Sequence, residues 1–233
     1  MMQDRYRTLL YPLQDEILSL IGSLELPFYL TGGTALSRHY LDHRYSDDLD
    51  LFVNGHPDLR ALVERVESCF RHHGTEYRAL TRSTDFVRFE ITGREETLLK
   101  LDLVNDVVPH IGGFETSEVL GRVDNVYNIL SNKVSAIPRL EIKDFVDIIF
   151  IAVKYPYDWE TIITDAMQKD DWVNPLDLAR YFTELDAKLF SLIPWVKPVD
   201  PEALLRCTEV IADEIIKGSV NSLSSLGSAS LLC

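Results

Sequence analysis

Apolar residues recur at helical spacing near the start of the chain. Leu9, Leu10, Leu13, Ile17, Leu20 and Ile21 fall on one stripe, which predicts a helix over residues 6–21. The next run, "LPFYLTGG", is a block of aromatic and aliphatic residues stopped by Gly32 and Gly33, and Thr34 to Tyr40 returns to helix-forming residues. This order reads as strand, glycine turn, helix. "DLDLFV" at 48–53 alternates acid with aliphatic and predicts a second strand closed by Asn54 and Gly55. Leu59, Leu62, Val63, Val66 and Phe70 then predict a helix over 58–71.

Three strand-like runs follow at 75–82, 84–92 and 97–106, with short turns between them, and are expected to be sheet neighbours. Beyond them the pattern turns helical, with segments at 124–136, 141–154, 159–169, 175–191 and 201–217. The stretch 110–122 carries glycines and no strong periodicity, so it is expected to separate two parts. The fold class is therefore α/β (α+β): a mixed sheet with flanking helices over 1–115, a helical region over 116–218, and a Ser-rich tail over 219–233 expected to be poorly ordered.

Asp48 and Asp50 are two apart on a predicted strand, so they face the same way while Leu49 and Leu51 face the other. Like charges that close cost free energy unless a cation neutralises them, and carboxylate oxygens suit Mg²⁺. A solvated acidic edge strand is the alternative for Asp47, Asp48 and Asp50. What favours the ion is the turn just before: the backbone N–H groups of Gly32 and Gly33, at a helix start, can hold a phosphate beside the carboxylates. A third acid, Asp102, sits in "LLKLDLV" opposite an apolar face of Leu99, Leu101 and Leu103; if that strand pairs beside 48–53, three carboxylates converge.

Composition narrows the partners. A formal net charge of −14 disfavours long-range attraction to nucleic acid, so an RNA partner requires a local basic groove or a cation-screened site. Cys69, Cys207 and Cys233 are odd in number and scattered, which suits free thiols in a reducing compartment. No stretch reads as a secretory signal or a membrane span, and the expectation is a cytoplasmic protein without a membrane partner. Cys69, His72 and His73 are too few for a zinc site. The aromatic run "VKYPYDW" reads first as core, and neither a P-loop nor a dinucleotide-binding glycine motif is present.

"TGGTALSRHYLDHRYSDDLDLF" resembles the first motif of the nucleotidyltransferase superfamily with the DNA-polymerase-beta-like core: a Gly-Gly or Gly-Ser turn, about ten residues, Asp-x-Asp, and a later single Asp on another strand. With "NKVSAIPRLEIKDFVD" downstream, the pattern is similar to the AbiEii/AbiGii toxin branch, over roughly residues 25–155.

The resemblance implies a nucleotidyltransferase-like sheet and transfer of a nucleoside monophosphate from an NTP to an acceptor hydroxyl. Asp48, Asp50 and Asp102 would carry the chemistry, ligating two Mg²⁺ ions. Gly32, Gly33 and Thr34 would hold the triphosphate, Lys133 would reach its phosphates, and Asp147 would support the site. His43, Arg44 and Ser46 accompany the acids in the pattern without an assigned role, and a helical ion pair with Lys143 is the plain alternative for Asp147. The acceptor stays open between RNA and a small hydroxylated molecule of the aminoglycoside kind. A cognate antitoxin is the implied protein partner, and a relative that binds nucleotide or a partner without turnover is the rival reading.

Overall fold

The computed structural model describes residues 2–225. By internal contacts the chain divides into two units, one formed up to His39 and over Tyr45–Asn125, the other by Tyr40–Arg44 and from Val126 onward.

The first unit begins with a helix, α1 (Met2–Arg5), that widens by one π-turn over Tyr6–Leu10 and resumes as α2 (Tyr11–Gly22). A short strand, β1 (Tyr29–Thr31), runs into α3 (Gly32–Ala35), which continues in wider turns over Leu36–Leu41. After β2 (Leu49–Asn54) comes α4 (Leu59–His73), started by Asp58, whose carboxylate accepts from the Ala61 N–H, and stopped by Gly74 at φ +69°. The strands β3 (Glu76–Arg82), β4 (Phe86–Thr92) and β5 (Leu98–Asp106) are sheet neighbours, as expected, and form an antiparallel meander.

The segment expected to separate the two parts instead supplies two more strands, β6 (Phe114–Ser117) and β7 (Gly121–Asp124). β6 is mostly exposed and β7 buries only Val123 and Asp124 at its end, so no hydrophobic alternation marked them in the sequence. The result is a seven-stranded mixed sheet of order β3-β4-β5-β2-β1-β7-β6, with β2 parallel to β5 and β1 parallel to β7. This is the mixed α/β class the sequence predicts.

Side chains alternate across the sheet. Val87, Phe89, Ile91, Leu99, Leu101 and Leu103 are buried on the face that α4 covers, where the Phe70 ring meets Phe89 at 6.2 Å. The opposite face carries the acids.

The second unit is helical: α5 (Val126–Ala136), α6 (Ile142–Lys154), α7 (Trp159–Met167), α8 (Pro175–Thr183) and α9 (Pro201–Lys217). Helix α6 buries side chains almost all round, among them Phe145, Val146, Ile148 and Ile149, as a central helix must. The helix expected over 175–191 is broken: α8 ends at Thr183, and Asp186 caps a separate 3₁₀ segment, Ala187–Leu192, by accepting from the Lys188 N–H. Trp159 of the aromatic run is fully buried and donates its indole N–H to Glu214 at 3.1 Å.

Of the tail, residues 219–225 pack into this unit, with the buried Asn221 amide donating to the carbonyls of Ala152 and Tyr155. The expectation for 226–233 lies outside the described residues. Among the described residues no helix is long and apolar enough to cross a membrane.

Candidate active site

Strand register builds the acidic face. Asp50 is the Cα partner of Thr31 on one side and of Asp102 on the other, and Asp102 is in turn the partner of Arg88. Across the sheet this gives one row on one face: Arg88 on β4, Asp102 on β5, Asp50 on β2 and Thr31 on β1. Adjacent strands lie about 5 Å apart, so the carboxylates of Asp50 and Asp102 are neighbours. Asp48 stands one residue before β2 and, like Asp50, is partly exposed, whereas Asp102 is buried.

The glycine turn sits directly against this row. Gly32 adopts φ +67°, a conformation that L side chains rarely adopt, and a Cβ built on it would lie 2.5 Å from Asp50 Oδ2. Only a bare Cα permits that approach. Gly33 follows in α3. Thr34, expected to hold triphosphate, is fully buried, and its hydroxyl donates to the backbone carbonyl of Asp48. It ties the turn to the entry of the acidic strand.

The approach to Asp48 is pinned as well. The Tyr45 ring stacks on Tyr6 at 4.4 Å, the Tyr6 hydroxyl donates to Asp47, and the buried Gln14 amide donates to the Ser46 carbonyl at 3.1 Å.

Two parts of the site had no flag in the sequence reading. Arg88 donates from Nε to Asp102 Oδ1 at 2.7 Å and from Nη2 to Oδ2 at 2.6 Å, a two-point fork. Its hydrogen bonds to Asp102 hold the guanidinium pKa above its ordinary value; partial burial opposes this, and the charges of Asp102, Asp48 and Asp50 add to it. The alternation of "FVRFEI" is the signal that could have found Arg88, because Phe89 faces the core and Arg88 must face the acids. On the far side of Thr31, the fully buried Asp124 accepts from the Thr31 hydroxyl at 2.7 Å and pairs with His110 Nε2 at 2.9 Å. That network steadies the residue just before Gly32, and no sequence spacing announces it.

Lys133 and Asp147 belong to the second unit. Asp147 has no exposed side-chain surface and is the centre of a charge cluster: Arg44 donates from Nε and Nη2 at 2.7 Å each, His43 Nε2 lies at 2.8 Å and Lys133 Nζ at 2.9 Å. Burial acts to raise the Asp147 pKa, but Arg44, Lys133 and His43 together hold it well below the usual carboxylate range. Lys133 also meets Asp144 at 2.6 Å; burial works against its charge, and the carboxylates of Asp147 and Asp144 outweigh it and raise the pKa. Burial pushes the His43 imidazole down, more strongly than Asp147 pulls it up. His43 and Arg44, left without a role in the sequence reading, are thus the partners of Asp147.

The residues can be tested against a divalent ion. Asp48 and Asp50 offer oxygen donors only, which suits a hard cation that takes one or two carboxylates and completes its shell with water or phosphate. Both oxygens of Asp102 accept from Arg88, and among the described residues no group of three or more His, Cys, Asp or Glu side chains could hold a common ion. The chemistry of Asp48 and Asp50 fits a hard divalent ion, and in this arrangement the third acid, Asp102, is engaged by Arg88.

A glycine turn packed on an acid-x-acid strand, with another acid in register on the adjoining parallel strand of a mixed sheet, is the layout of the nucleotidyltransferase class. The chain belongs to the AbiEii family, described as nucleotidyl transferase AbiEii toxins of type IV toxin–antitoxin systems, whose family profile matches residues 19–194; it is a nucleotidyltransferase.

Solved structures share the fold. A nucleotidyltransferase candidate from Helicobacter pylori is 23% identical, with 91% of this chain and 96% of that chain covered and a TM-score of 0.58. JHP933 from Helicobacter pylori is 22% identical, over 91% and 93%, with a TM-score of 0.56. MenT4, a nucleotidyltransferase toxin from Mycobacterium tuberculosis H37Rv, is 17% identical, over 88% and 83%, with a TM-score of 0.64. No curated protein matches the chain.

Proposed function

We propose that this enzyme moves a nucleoside monophosphate from an NTP to an acceptor hydroxyl with the help of a divalent cation, and that it is the toxin half of a toxin–antitoxin pair. The observation that carries the reading is the register of Asp50 beside Asp102, with Gly32 against the Asp50 carboxylate.

In this reading the glycine turn holds the triphosphate through backbone N–H groups of Gly32 and Gly33. Thr34 acts from behind, fixing Asp48 through its carbonyl. Asp48 and Asp50 hold the cation, which when bound neutralises phosphate charge and polarises the α-phosphate. Asp102, oriented by Arg88, takes the proton of the acceptor hydroxyl as that oxygen bonds to the α-phosphorus, the bond to the β-phosphate breaks and pyrophosphate leaves. Within the second unit, Lys133 is held by Asp147 and Asp144.

The acceptor is RNA or a small hydroxylated molecule; the net charge of −14 mildly favours a cationic small molecule over a polyanion. One experiment separates the readings: α-labelled NTPs and Mg²⁺ are incubated with a mixture of cellular RNA, proteins and small polyols, and the labelled species is identified. Label transfer that is lost in Asp50→Asn supports the proposal. Tight NTP binding with no transfer to any acceptor points to the binding-only relative. Growth arrest on expression, relieved by the Asp50→Asn change, tests the toxin role.

A further inference from the structure

The polar row on the sheet contains a cation supplied by the chain itself. Arg88 and Asp102 are register partners on β4 and β5, and the guanidinium fork engages both carboxylate oxygens at 2.7 and 2.6 Å. The Asp102 side chain is 11% exposed and that of Arg88 41%, so the fork covers the acid from the solvent side. A divalent ion needs ligand oxygens at about 2.0–2.1 Å, and at Asp102 it would also meet the fixed positive charge of the guanidinium. Arg stays charged at any working pH, so this repulsion cannot be relieved by losing a proton.

Resting on the nucleotidyltransfer reading above, we propose that Arg88 takes the place of a second metal ion. The chain carries one divalent cation, on Asp48 and Asp50, and Asp102 is matched by Arg88. Arg88 is then a positioning residue for the acid that receives the acceptor proton. The fork meets the charge of Asp102 on the strand beside Asp50.

The test counts ions. Mn²⁺ alone is titrated into the full-length protein while free Mn²⁺ is followed by electron paramagnetic resonance. Wild type is expected to bind one ion per chain at the site that Asp50→Asn removes. Asp102→Asn, nearly isosteric, is expected to keep that ion with its Kd within about twofold, and Arg88→Gln to gain a second ion. Zero or two ions in the wild type, or loss of the ion in Asp102→Asn, overturns the proposal, and neither result depends on whether Arg88→Gln folds. The same preparations are assayed for label transfer. Two bound ions together with transfer that requires Asp50 would sink the arginine substitution and leave the enzyme reading intact. Transfer indifferent to Asp50 would sink the enzyme reading and, with it, this one.

Discussion

Arg44 and Asp147, 103 residues apart, form a two-point ion pair with almost no exposed surface on either side chain. Isolated buried charges are costly, so each is tolerated only because the other is there, and breaking one side costs more than the pair itself contributes. Arg44→Ala is expected to lower the unfolding free energy by about 3–5 kcal/mol, read from the denaturant midpoint. A loss under about 1 kcal/mol, the size of a surface pair, would mean that the cluster is solvated.

The same cluster sets a pH dependence. The His43 pKa is lowered by burial, so below the ordinary imidazole value of about 6.5 the unfolded chain takes up a proton that the folded one refuses. Its contribution is fully present above that pH and declines as pH falls toward the lower folded value. Asp147, also lowered, adds a second loss once pH drops below about 3.9, continuing down through its folded pKa. Stability measured from pH 7 to pH 5 should fall, by at most about 1.4 kcal/mol per pH unit for one proton. In His43→Gln that decline should be flatter; an unchanged slope would assign it to other groups.

Gly32→Ala should be far more damaging to activity than its size suggests. Its φ of +67° and the 2.5 Å approach to Asp50 Oδ2 leave no room for a methyl group without shifting the acid or the turn. A displacement near 1 Å at a reacting centre costs about 100-fold in rate, so kcat/KM for label transfer should drop by about that factor. Gly22→Ala in α2, where nothing lies within 4 Å of the added carbon, is the control and should be neutral.

Asp124→Ala removes the partner of the Thr31 hydroxyl and of His110 in a fully buried setting. Leaving Thr31 unpaired should destabilise the protein by about 1–3 kcal/mol. Because Thr31 precedes the glycine turn, KM for NTP should rise more than kcat falls. A change confined to kcat would place the network's influence on the chemical step instead.

Much of this was legible in the chain. The two-residue period of 48–53 and 97–106 gave the strands and the faces of Asp50 and Asp102, because alternation is a direct consequence of the pleat. Helices 201–217 and 141–154 followed from their stripes to within a residue. Strands β6 and β7 were not legible: each is four residues long, β6 is largely exposed, β7 buries only Val123 and Asp124, and their pairing is fixed by the neighbours they find in space. The break after Thr183 was hidden in a continuous apolar periodicity. Arg88, Asp124 and the partners of Asp147 were missed for one reason. Charge compensation across long sequence separations leaves no local pattern, and an i, i+4 spacing pointed Asp147 toward Lys143 when its buried partners come from other elements.

The turn between β4 and β5, Gly93 to Thr97, works as a length gauge for the whole face. Adding or deleting one residue there would slide β4 by one position, swing Arg88 toward the apolar side and bring Phe89 or Val87 up beside Asp102. Natural variation in this family should therefore preserve the parity of that hairpin more strictly than the identity of the residues composing it.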